Sequence, residues 1–184
     1  MKTYNLMALR WPIFAMTCVL VVSNIAVMYA INDWLTWGAF TYPLVFLVTD
    51  LTNRTLGAAA ARKVALVGFA LAVVLSVYLA TPQIALASGA AFLTAQLLDI
   101  AAFNRLRTLS WWKAPLIGSL LASVIDTGIF FYIAFYGSDM NWLTLAAGDL
   151  SMKCLMAAIL LMPYKALLPR FAAMRDDTTA RSTA

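Results

Sequence analysis

The chain has 184 residues, 64% hydrophobic and only 11% charged, with a net charge of +5. Soluble domains carry about a quarter charged residues, so this composition, with mean hydropathy +0.85, is that of a membrane protein. All eight acids are Asp and there is no His, which excludes histidine metal sites, histidine general bases and the usual catalytic triads.

The apolar residues come in long blocks rather than short alternating runs, which favours helices over a β-barrel. A span needs about 20 apolar residues. Six blocks qualify, at 11–31, 34–53, 63–81, 83–103, 115–137 and 142–163. The first is too long for a signal peptide and no small-residue cleavage site follows it, so it reads as retained. The second holds Gly38 and Pro43, which predicts a kinked or partly unwound helix. Cys18 and Cys154 fall inside apolar blocks as small buried hydrophobes, and neither a disulfide nor a metal site is expected.

Lys2 and Arg10 precede the first block, and Arg54, Arg62 and Lys63 separate the second from the third. Arg105, Arg107 and Lys113 lie between the fourth and fifth, and Lys165, Arg170, Arg175 and Arg181 follow the sixth. The other connections hold no Lys or Arg, and two of them carry Asp33 and Asp139. This alternation is what the positive-inside rule predicts for six helices with both termini cytoplasmic. Its regularity also argues against a nucleic-acid partner for the net positive charge. Trp34, Trp37, Trp111, Trp112 and Trp142 sit near span ends as interfacial anchors do. The expected fold class is an all-α membrane protein of six transmembrane helices. One six-helix domain covers 1–170, with a polar, disordered tail expected at 171–184.

Ionised groups inside such a bundle are costly, about 2.5–3.5 kcal/mol each at a helix centre. Lys153 and Asp126 are each central in their blocks, at matching depth, and Asp149 lies one turn from Lys153. These three are expected to form one cluster. It either fixes helix register alone or lines a polar cavity. Further polar stripes support the cavity. Tyr42, Phe46, Asp50 and Asn53 share a face, as do Phe92, Gln96, Asp99 and Phe103, and Ser119, Ser123, Asp126 and Phe130. Asn24, beside Ser23, adds an amide from the first span. Ser119 and Ser123 alone are better explained as packing polar groups. Aromatic faces with carboxylates and amides suit a flat polar heterocycle, through stacking and paired hydrogen bonds. Composition and spacing thus point to a small-solute transporter, with a nucleobase-like solute as one candidate among several. An ion channel more often uses rings of carbonyls or identical charges. An intramembrane enzyme would have few acid–base groups beyond Lys153.

Five stretches carry a family resemblance: "TWGAFTYPLVFLVTDLTNRTLGAAAARK" (36–63), "AQLLDIAAFNRLR" (95–107), "WWKAP" (111–115), "IDTGIFFYIAF" (125–135) and "GDLSMKC" (148–154). Together they closely resemble the queuosine precursor transporter family, also described as vitamin-uptake-transporter-like. The resemblance implies a bacterial inner-membrane importer of 7-deazaguanine bases, such as preQ0 and preQ1, for salvage into tRNA queuosine. It also implies a distant likeness to the substrate-capture subunits of energy-coupling-factor vitamin transporters, so capture for a separate ATPase module is the alternative. Matched motif positions are Asn24, Asp50, Gln96, Asp99, Asp126, Asp149 and Lys153, and with Phe46 and Phe92 these are the expected substrate-binding residues. Arg54, Arg105 and Arg107 also match and are expected to anchor span ends to lipid phosphates, with internal pairing to Asp50 or Asn53 an option for Arg54. The implied partners are the small-molecule base and the lipid bilayer; no cofactor is expected. The Ala87, Ala91, Ala95 ridge could pack within the bundle or between protomers of a homodimer. Short outer connections leave little room for a covering loop.

Overall fold

The computed structural model describes residues 6–32, 34–139 and 141–170. Lys2, Asp33, Arg175, Arg181 and the whole expected tail at 171–184 lie outside the described residues. After a 3-10 turn at Leu6–Leu9 come α1 (Arg10–Ala26), α2 (Gly38–Thr41), α3 (Leu44–Leu56) and α4 (Ala58–Leu79). Then follow α5 (Pro82–Leu106), α6 (Lys113–Phe135) and α7 (Trp142–Ile159), and 161–170 is helical again. Four helices, α4 to α7, are long and apolar enough to cross a membrane, and α1 is a shorter apolar helix of 17 residues. The chain is a multi-pass, essentially all-α membrane protein.

Local chemistry sets the breaks. Pro43 has no N–H to continue a helix, and the expected kink falls at Tyr42–Pro43, between α2 and α3. Gly57 separates α3 from α4 at φ +91°, a conformation that a Cβ disfavours. Thr81 caps α5 by accepting from the Ile84 N–H at 3.4 Å, with Pro82 at the first helical position. The first span differs from expectation, because α1 ends at Ala26 rather than at 31. Residues beyond it form a small antiparallel hairpin, β1 (Ala30–Asn32) with β2 (Leu35–Thr36). Its turn is held by Asn32 Oδ1, which accepts from the Trp34 N–H at 2.9 Å; such Asx turns compete with helix.

Helix α5 packs most extensively against α6 and then α4, and α7 rests chiefly on α6. The contacts are built on small residues, which let backbones approach closely. Ala60, Ala61 and Ala65 of α4, Ala114 and Ala122 of α6, and the α5 ridge of Ala87, Ala91 and Ala95 are all buried. That ridge therefore packs inside one chain and is not a free surface for a second protomer. Helix α4 turns Leu66, Val67, Val74 and Val77 outward, an apolar exterior that suits lipid. Cys18 also faces outward, contrary to its expected burial, because its helix sets it on the exterior of α1. Antiparallel succession brings Arg10, Arg54, Arg62, Lys63, Arg105 and Lys113 to one end of the bundle, termed here the basic end.

Candidate functional site

The three central charges meet. Lys153 Nζ donates to Asp126 Oδ2 at 2.7 Å and lies 2.5 Å from Asp149 Oδ2. One helical turn on α7 puts Asp149 and Lys153 on the same face, and the α6–α7 contact supplies Asp126. Thr127 joins the pair of helices a second time. Its Oγ1 accepts from Lys153 at 3.1 Å and donates to Asp149 Oδ2 at 2.8 Å. Tyr42, at the α2–α3 break, donates its hydroxyl to Asp126 Oδ1 at 3.2 Å and sets its ring under the ammonium at 5.4 Å. Lys153 and Asp126 are buried, whereas the Asp149 side chain stays 21% exposed. Each charge in the cluster is matched by an opposite charge or a donor, which is how ionised groups survive in hydrocarbon.

This cluster floors a cavity of about 570 Å³ that opens toward the end opposite the basic one. The volume is within the range of small-molecule sites. Its walls are flat and apolar at Phe92, Phe130, Phe131 and Trp34, and polar at Asn24 and Asn32. Asn24 donates to the Leu20 carbonyl of its own helix at 2.9 Å. The hairpin lines the mouth through Asn32, Trp34, Leu35 and Thr36. Helix α7 meets it closely, for a Cβ on Gly148 would sit 3.1 Å from the Trp34 carbonyl oxygen.

A family model described as "Putative vitamin uptake transporter" matches residues 36–81 and 75–167. The chain belongs to that family. A Haemophilus influenzae protein named "Probable queuosine precursor transporter" is 37% identical over 154 residues, 70% of this chain and 66% of that protein. An Escherichia coli protein named "Queuosine precursor transporter" is 31% identical over 196 residues, covering 91% of this chain and 89% of that one. The chain thus spans just under two thirds of the first relative's length and most of the second's. No solved structure matches it.

Within this member of the vitamin uptake transporter family, the expected site residues divide into two levels. Asn24, Phe92, Asp126, Asp149 and Lys153 line the cavity. Phe46, Asp50, Gln96 and Asp99 do not; all four are buried one level nearer the basic end. Phe46 and Asp50 border a void of about 20 Å³ that Lys153 also touches. Gln96 Oε1 accepts from Thr49 at 2.6 Å, which ties α5 to α3. Below them, Arg54 turns inward rather than toward lipid. It donates to the Tyr164 hydroxyl at 3.1 Å and the Arg107 carbonyl at 2.7 Å, and stacks over the Phe103 ring at 5.1 Å. Arg107 answers with a 3.4 Å bond to the Arg54 carbonyl, while Arg105 is exposed. This lattice ties α3, α5 and the 161–170 helix together at the basic end. The internal partner open to Arg54 is thus Tyr164 with the backbone of residue 107, not the carboxylate of Asp50. Two residues of the ion cluster carried no sequence assignment, Thr127 and Tyr42. Thr127 adjoins Asp126 in the "IDTG" motif, and Tyr42 heads the stripe that runs to Asn53.

Proposed function

We propose that the chain imports queuosine precursors, 7-deazaguanine bases such as preQ0 and preQ1, across a bacterial inner membrane as a carrier rather than an enzyme. The relatives' names support the solute class, and the observation that carries the reading is the cavity itself. Flat aromatic walls suit a heterocyclic ring, and a carboxylate at the floor suits its N–H/NH₂ edge. Asp149 takes both of its described bonds on Oδ2 and is the more exposed acid of the cluster, which makes it the preferred acceptor for that edge. Phe92 supplies a stacking face, Asn24 an amide for the ring's carbonyl, and Lys153 pairs with both acids and aims them.

The membrane arrangement proposed is six spans, with the broken α2–α3 as the second and both termini cytoplasmic. The basic end supports this orientation, and the cavity then opens outward. Cysteine at Asp139 should be labelled from outside intact cells and cysteine at Arg107 should not; the reverse pattern overturns the orientation. The solute is tested by uptake of labelled 7-deazaguanines into cells unable to make them, with this chain as the sole importer. Uptake that saturates and is competed by unlabelled base is expected. Equal uptake with and without the chain sinks the reading.

A further inference from the structure

Below the cavity, α3, α5 and α6 enclose a second pair of acids. The α3–α5 register is fixed by Thr49 against Gln96 and by Asn53 Nδ2, which donates to the Ile100 carbonyl at 3.2 Å. That register sets Asp50 opposite Asp99, with their carboxyls in hydrogen-bonding reach of each other. Helix α6 closes the third side. Ser119 Oγ reaches Asp50 Oδ2 at 3.5 Å, and a Cβ on Gly118 would stand only 2.6 Å from Asp99 Oδ1. Asp50 is 2% exposed and Asp99 0%.

As carboxylates, the two can only accept. Asp50 Oδ1 and both oxygens of Asp99 have no hydrogen-bond partner. Nor have Asn53 Oδ1 and Gln96 Nε2, one turn away on the same two helices and 1% and 0% exposed. The charged and titratable groups around the pair are otherwise engaged. Arg54, a turn along α3, bonds Tyr164 of the 161–170 helix and the Arg107 carbonyl. Lys153 of α7 borders the same void as Asp50 but bonds Asp126 and Asp149. Helix α6 faces the pair with Gly118 and Ser119, and α4 presents Ala61 and Ala65 to the adjoining Ile100.

We propose that the Asp50–Asp99 pair binds one proton between its facing oxygens and carries it with the base, coupling import to the proton gradient. One proton converts two mutually repelling acceptors into a donor and an acceptor, and leaves the layer one negative charge lighter. It enters from water on the cavity side and leaves to water at the basic end, and the void of about 20 Å³ that borders both Lys153 and Asp50 has room for about one water between the two levels. The loaded carrier crosses with base and proton together, the pair discharges to water at the basic end, and the empty carrier returns with the pair unprotonated. That cycle is what a coupled carrier requires. This inference rests on the proposed solute only for the choice of cargo.

The test uses the full chain in proteoliposomes with the membrane potential clamped. At one proton per base, a gradient of about one pH unit, acid outside, should support about tenfold accumulation of labelled 7-deazaguanine. A protonophore should abolish it, and a sodium gradient should not replace it. Asp99→Asn and Asp50→Asn should each lose the accumulation. Wild-type-like accumulation in both variants, or wild-type accumulation that follows sodium or ignores the pH gradient, overturns the proposal. Infrared spectra of the purified protein give a cargo-free readout. The carbonyl band of a protonated carboxylic acid should be present at neutral pH, shift in either single variant and vanish when Asp50→Asn and Asp99→Asn are combined. Loss of that band without any wild-type base transport would overturn the solute reading and support the proton site. Its persistence in the double variant would overturn the proton site.

Discussion

Asp126 and Asp99 are almost equally buried, 3% and 0% exposed, yet their surroundings differ in kind. Asp126 receives an ammonium at 2.7 Å and a phenol at 3.2 Å, and the cluster around it joins α2–α3, α6 and α7. Asp99 receives no donor at all and meets a second acid. The packing differs in the same sense. Helix α7 buries only Lys153 and Ala157 within the bundle, so much of its hold on α6 is ionic. Helix α5 is locked by Ala87, Ala91, Ala95 and Ile100 along its length. Charges at the outer level therefore hold a lightly packed helix in place, whereas apolar packing at the inner level holds unmatched charges in place. A region whose assembly depends on its ions should fail when they are removed singly. A region whose ions depend on its packing should fail when the packing shifts.

The largest effect is expected at Lys153. Lys153→Met removes the common partner of two carboxylates and leaves them stranded, a loss of about 3–5 kcal/mol for a buried pair. Titration with sodium dodecyl sulfate should show the variant unfolding far earlier than wild type, and base uptake should disappear. Adding Asp126→Asn and Asp149→Asn to Lys153→Met should recover part of the stability, because the stranded charges go. Additive losses across the cycle would mean that the three do not act as a unit.

Gly118→Ala tests the opposite case. The new Cβ would crowd Asp99 Oδ1, and the carboxyl can yield only by pushing into a tightly packed layer. Overpacking of this kind typically costs about 1–3 kcal/mol. Here it should also disturb the acid pair, so pH-driven accumulation should fall more than binding of the base to purified protein. Equal losses in both would indicate a general packing defect.

Much of the outer level was legible from the sequence. The turn between Asp149 and Lys153, and the matched depth of Asp126, follow from helical periodicity and block boundaries alone. So does the Pro43 break. What periodicity does not carry is the division into two levels. It assigns Asp50, Gln96 and Asp99 to inward faces, but whether those faces meet a cavity or a seal depends on how closely helices approach. That is decided by Gly118, Ala122 and the α5 alanines, whose small size shows only when three helices are assembled. Thr127 escaped for a related reason. It sits about 100° around α6 from Asp126, on a face that becomes functional only because α7 lies between the two. The hairpin after α1 was hidden by an apolar block that reads as continuous through Ile31, although Asn32 ends it with its own side chain.

The smallest expected effect separates two contributions of one residue at the outer level. Tyr42 gives Asp126 a hydrogen bond through its hydroxyl and gives Lys153 a ring face at 5.4 Å. Tyr42→Phe deletes the first and keeps the second. A hydrogen bond to a charged group contributes about 1.5–3 kcal/mol, but Asp126 retains its ammonium, so a loss near the bottom of that range is expected. Tyr42→Leu deletes both, and the further loss reports the cation–π contact, about 0.5–2 kcal/mol depending on how dry the site is. The two variants should keep the order wild type, Phe, Leu in detergent unfolding. If Phe and Leu are equal, the ring does not help to hold Lys153. The ammonium then depends on Asp126, Asp149 and Thr127 alone, and the contrast with the inner level narrows to charge pairing.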